Sequence, residues 1–204
     1  DPLSFVTNVK VQAYFYDEFS SNPLEVKEGK TVLNVIPPLS SSPFIIRSDN
    51  PNSNISDVYT KILTFETSEF QKNSLGISIN DVLTDSVDHS SDSSLTFSFS
   101  GILRNGDSPI SDTFVHLAFY DVFNRIIQVS TIDIGNVEMN ALTSIKINEE
   151  INSSSIGFLL ISESNKFYSD MINVKLLFSQ SHKNPVIISD VTVRDTLGRI
   201  FSEI

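Results

Sequence analysis

Apolar and polar residues alternate through residues 9–15, with Val9, Val11, Ala13 and Phe15 on one face and Lys10, Gln12 and Tyr14 on the other. A period of two is what a β-strand with one buried face requires. The stretch ends in the corner Tyr16-Asp17-Glu18-Phe19. The same pattern returns as Leu117-Ala118-Phe119-Tyr120-Asp121 and, shorter, as Val191-Thr192-Val193-Arg194-Asp195. In these later copies Asn124 and Gly198 follow the Asp at the same spacing. Both residue types reach the left-handed conformation at low cost, so each corner reads as a type I turn closed by a bulge. The pattern predicts three hairpins of one design.

The surrounding strands repeat as well. Residues 24–26, 31–36, 44–46 and 58–65 read as strands in the first half, and 95–103, 158–161 and 171–178 in the second. Pro37-Pro38 stops one strand because proline offers no ladder donor. Asn105-Gly106-Asp107 is a turn, and residues 132–139 extend a strand or loop. Without a gap, residues 40–65 align with 153–178. The alignment superposes both Ser triplets, Asn52 with Asn165, Ser56-Asp57 with Ser169-Asp170, Leu63 with Leu176 and Phe65 with Phe178. One offset held across a whole segment marks internal duplication. We therefore expect a first β-sandwich unit over 1–79, lacking its front strand, and a second over 95–181. Residues 80–94, rich in Ser and Asp with no apolar period, read as a linker. Residues 182–204 read as a connector followed by the start of a third unit or a donor hairpin. The missing front strand and spare rear hairpin suggest a slice of a longer repeat protein, in keeping with a first residue that is Asp rather than Met.

Composition agrees with strands. Alanine occurs only at positions 13, 118 and 141, while Val, Ile, Thr, Phe and Tyr are abundant. A hydrophobic content of 40% is enough for a core. A net charge of −11 argues against nucleic acid and anionic membrane surfaces as partners, and no apolar run is long enough for direct membrane insertion as a helix. The same charge attracts divalent cations. The absence of cysteine excludes a disulfide-stapled fold without deciding the compartment.

Candidate chemistry is sparse. His116 sits between core-facing Val115 and Leu117, so its ring points to the other face, where Gln12 stands in the first unit. That equivalence predicts a solvent-side polar position. His89 and His182 fall in connectors without a nucleophile arrangement, and Asp17 and Asp121 read as turn-formers accepting backbone N–H bonds. Asp81, Asp85, Asp88 and Asp92 crowd the linker, where hard oxygen ligands would suit calcium, the one cofactor the sequence suggests. The oxygen-rich loop at residues 49–54 lacks the glycine and closing Glu of an EF-hand. Asn54-Ile55-Ser56 and Asn152-Ser153-Ser154 are glycosylation sequons. Phe167-Tyr168, the one aromatic pair in a loop, takes the places of Asn54 and Ile55 in the repeat register and is read as local packing.

Gly101-Ile102-Leu103-Arg104-Asn105, together with Phe119-Tyr120-Asp121 and its hairpin, resembles the FxLYD-type module. Phe15 and Phe119 stand where that motif has Leu, and Ala13 and Leu117 where it has Phe. The tandem arrangement with acidic, Ser- and Asn-rich linkers is similar to archaeal cell-envelope proteins. The resemblance implies an all-β chain of two tandem immunoglobulin-like antiparallel β-sandwiches with a C-terminal extra hairpin. It also implies an extracellular or cell-surface location and no catalytic residue. On this reading the protein is a structural scaffold whose partners are neighbouring domains or other copies. A self-assembling filament or surface-layer subunit joined by strand complementation is the alternative. A calcium- or glycan-dependent adhesin is a third.

Overall fold

The structure, a computed structural model, describes residues 4–51, 54–68, 73–74, 77–89, 94–169, 171–176, 191–194 and 200–203. The chain divides into two units, Asp1–Phe70 and Gln71–Ile204. Both are built from mainly antiparallel sheets, and no helix occurs among the described residues.

The first unit is a four-stranded sheet around β1 (Phe5–Asp17). One edge of β1 carries β2 (Glu25–Lys30) and β3 (Val35–Ile36), and the other carries β4 (Ile55–Ser68). The predicted alternation holds, since Val9, Val11, Ala13 and Phe15 are all buried. Part of their cover comes from the segment after β3. Gly29 pairs with Val11, and a Cβ built on Gly29 would lie 2.6 Å from Cγ1 of Ile46.

The second unit packs two sheets on one core. The smaller joins β6 (Ile77–His89), β7 (Ser94–Asn105) and β10 (Leu142–Asn152), with β7 in the middle. The larger runs from β9 (Ile126–Val137) through β8 (Ile110–Tyr120) and β11 (Gly157–Glu163) to β13 (Ile172–Lys175). Beyond β13 lie β14 (Val191–Arg194) and β15 (Ile200–Glu203). The two-residue strands β12 (Phe167–Tyr168) and β5 (Asn73–Ser74) pair in parallel beside β11. Leu95, Phe97, Phe99 and Leu103 of β7, with Ile145 and Ile151 of β10, meet Val115, Leu117, Phe119, Phe158, Leu160 and Val174 of the larger sheet. Four phenylalanines form its centre. Phe158 lies 5.5 Å from Phe97, 5.9 Å from Phe99 and 5.6 Å from Phe119 between ring centroids, the first two edge to face.

The structure departs from the sequence expectations in three places. Most of the expected linker over 80–94 is strand β6, so the boundary falls near residue 70 rather than at 79. Central β7 needs a partner on each edge, and tertiary context overrides composition here. Bulges between Asn80 and Leu83 and between Asp85 and Asp88 each shift the register by a residue, which erases the period of two. Secondly, the duplication does not carry through to sheet order. β13 reaches β8 through β11, whereas β4 hydrogen-bonds directly to β1. The counterpart of β11, residues 44–46, contributes only the isolated bridge from Phe44 to Thr31. Pro43 just before it has no N–H for a ladder. Phe15 and Phe119 thus share their place in the strand and hairpin but have different neighbours, Val58 in one case and Phe158 in the other. Thirdly, β8 is buried on both faces, with consequences for His116 described below.

Candidate functional site

The repeated Asp corner is the most fully built polar site. Tyr120 leads the chain out of β8, and Asp121 turns it back. Asp121 Oδ1 accepts the N–H groups of Phe123 and Arg125, both at 2.9 Å, and its backbone carbonyl accepts that of Asn124 at 2.9 Å. Asn124 has φ of 58°, the left-handed turn position its residue type predicts. Arg125 closes the corner on Oδ2, with Nε at 2.8 Å and Nη2 at 2.6 Å. Both donors share one carboxylate oxygen in a charge-assisted pair, while the other oxygen is left to the backbone. In the first unit Asp17 Oδ1 takes the N–H of Phe19 at 2.9 Å. The Gly198 corner lies outside the described residues.

The Arg125 guanidinium, helped by the two backbone N–H groups, holds the Asp121 carboxyl below its ordinary range, and burial opposes this. A folded-state value below the unfolded value of about 3.9 stabilises the fold at all pH above that value. The contribution is lost as pH falls through the folded value. We expect Asp121→Asn to melt several degrees below wild type at neutral pH, with the two curves converging below about pH 4. Thermal unfolding followed by circular dichroism at several pH values checks this.

Asn105 holds the other end of the sandwich. Its Nδ2 donates to the carbonyls of Ser108 and Glu138 at 2.8 Å, with that of Val137 at 3.3 Å, while its Oδ1 accepts the Gly106 N–H at 2.9 Å. The predicted turn at Asn105-Gly106-Asp107 is therefore locked to the end of β9.

His116 differs from expectation. It is only 4% exposed, because β8 is a central strand whose second face is covered too. Its Nδ1 lies 3.0 Å from Thr131 Oγ1, its Nε2 lies 3.6 Å from Glu163 Oε1, and its ring stacks on Phe114. Gln12, in the same place on β1, does face outward, with its amide 3.5 Å from Glu28. The His116–Glu163 pair joins an acid and a base but is closed off from a substrate, with both side chains buried.

Of the calcium candidates, Asp81, Asp85 and Asp88 lie along β6, and Asp92 lies outside the described residues. Two bulges shorten this run, yet at a strand rise of about 3.3 Å per residue Asp81 and Asp88 still stand about 17 Å apart along β6, too far to share one ion with ligands near 2.4 Å. Among the described residues no cluster of three or more metal-ligating side chains occurs. The sequon residues Asn54 and Asn152 are both exposed. Asn152 Oδ1 accepts the Ser154 N–H at 2.9 Å, which forms a tight turn across the sequon. Phe167 packs on the core and Tyr168 is buried, as expected for local packing.

Sequence reading missed the outer face and edge of the first unit. Tyr14, Tyr16 and Tyr59 line one face, with ring centroids 6.5 Å apart for Tyr14–Tyr16 and 6.1 Å for Tyr14–Tyr59. Lys61 Nζ stands 4.9 Å over the Tyr14 ring, and its hydrogen bond to Tyr14 raises the lysine's pKa above the ordinary value. The ring faces are thus turned to one another and to Lys61, an arrangement that stabilises the sheet rather than one open to a stacked ligand. Beside them β4 exposes Val58, Tyr59, Ile62, Leu63 and Phe65. Cross-strand register creates this surface, and register was not readable before pairing was known.

Among the described residues these features define an all-β chain with Asp-capped hairpins, a phenylalanine-centred core and an exposed edge strand, β4. No protein-family model matches the chain, and neither does a curated protein or a solved structure.

Proposed function

We propose that the chain is a non-catalytic, extracellular structural module, two tandem immunoglobulin-like units of the FxLYD kind serving as scaffold or spacer in a cell-surface or envelope protein. The supporting observation is what two of the buried polar side chains do. Asn105 and Asp121 are taken up by the backbone of turns at the ends of the sheets. Polar residues placed this way fix the ends of strands, where modules in a series are joined. The acidic charge of −11 suits a crowded, solvent-facing position. Protease added to intact producing cells degrades the chain while a cytoplasmic marker survives. Exchange of residues 71–204 for an unrelated β-sandwich of similar length leaves the surface assembly intact. Protection until lysis, or loss of the assembly on exchange, overturns this reading.

The second reading, assembly of copies through strand pairing, is favoured by the outer edge of β4. Among the described residues β4 pairs with β1 alone.

A further inference from the structure

We propose that β4 is the docking edge for β4 of a second copy, paired antiparallel about Tyr59, so that two four-stranded sheets become one of eight. The inference rests on the reading that copies of this chain are partners, and it names the contact.

β4 is blunted only by its charged residues, by Asp57 Oδ1 accepting the Val58 N–H, and by register shifts near its ends. It is fourteen residues long with no proline or glycine, and every side chain from residue 56 to 67 is exposed. Val58 is 47% exposed, Tyr59 58%, Ile62 63% and Phe65 57%, although β1 alongside buries its own apolar residues. The β1–β4 ladder is irregular near both ends, between Tyr16 and Asp17 and between Thr7 and Val11. It is unbroken where Asp57–Ile62 face Tyr16–Val11, so the straight, pairable part of the edge is centred there.

Symmetry limits the register, and charge pairing favours one. Two identical antiparallel strands related by a two-fold axis through the sheet must centre on a residue, so that paired side chains share a face. Centring on Lys61 sets lysine against lysine. Centring on Tyr59 sets Asp57 of each copy opposite Lys61 of the other, Val58 opposite Thr60 and Ile55 opposite Leu63. In this register the Tyr14–Tyr59 contact continues across the axis as a four-ring ladder, with an ion pair on either side. Asp57, Tyr59 and Lys61 lie opposite Tyr16, Tyr14 and Gln12 of β1 and so share the tyrosine face.

The test is sedimentation equilibrium of the full chain with two charge reversals at exposed positions. Wild type associates to a dimer with rising concentration. Asp57→Lys and Lys61→Asp each place like charges opposite each other twice and weaken the dimer about tenfold or more. Mixing the two variants restores both ion pairs and recovers association, which misfolding of either variant could not produce. In a chain without cysteine, Tyr59→Cys gives a covalent dimer on mild oxidation, and Glu66→Cys does not. A dimer indifferent to both reversals overturns the β4 contact while leaving copies as partners. A wild type that stays monomeric at all concentrations overturns pairing between copies, and the protease and exchange experiments decide the scaffold role separately.

Discussion

Phe158→Ala lowers the unfolding free energy of the second unit by about 3–5 kcal/mol, the range for removing a fully buried aromatic ring. Phe158 is wholly buried and stands between the two sheets, touching two rings of β7 and one of β8. Edge-to-face pairs add about 0.5–1.5 kcal/mol each beyond area, so the loss falls in the upper part of that range. Small domains have about 5–15 kcal/mol in total, so a large share of the unit's stability goes with one side chain. The chain has no tryptophan, and urea unfolding followed by far-ultraviolet circular dichroism is the suitable measurement. Ile45→Ala, at the aligned position of the first unit, costs much less, since residue 45 is half-buried and outside the sheet's strands.

Its neighbour gives the second large effect, from an addition rather than a deletion. Gly157→Ala destabilises by about 1–3 kcal/mol through overpacking. The new methyl would lie 2.3 Å from the Tyr120 hydroxyl oxygen, 2.5 Å from its Cζ and 2.6 Å from the Val174 carbonyl oxygen. Gly157 is needed because the Tyr120 ring crosses over it, on its way to donate a 2.7 Å hydrogen bond to Asn173 Oδ1. Its backbone has no positive φ, so the constraint is steric rather than conformational. The same substitution in a Tyr120→Leu background costs less but still something, because the Val174 carbonyl remains. A double-mutant cycle of melting temperatures reads this coupling.

The two corners, the alternation of β1 and β8 and the turn at Asn105 were legible because each is a local device. A single residue type at a fixed spacing carries the signal, as Asn124 does at φ of 58°. What was hidden depends on pairing between distant strands. Strand β6 escaped because its bulges break the period, leaving Ile79, Thr84 and His89 opposite Leu103, Phe99 and Leu95. The burial of His116 follows from β8 having β9 on one side and β11 on the other, and no local pattern states how many neighbours a strand will have. The repeat alignment was a sound statement about sequence but placed a strand at residues 44–46, where Pro43 and the short apolar run yield only one bridge. The edge of β4 illustrates the same limit. Its apolar residues pass for half of a buried strand until β1 is seen to have filled its other side with β2 and β3.

The phenylalanine cluster also sets the order of events when the chain is made. Phe97 and Phe99 are synthesised with β7, yet Phe158 arrives only after β8, β9 and β10 have followed. Pairings so far apart along the chain form slowly, since a long loop must close before any contact rewards it. Until β11 is laid in, β7 and β8 display their aromatic faces to whatever is nearby, so the half-made second unit carries the exposed apolar surface from which aggregation starts.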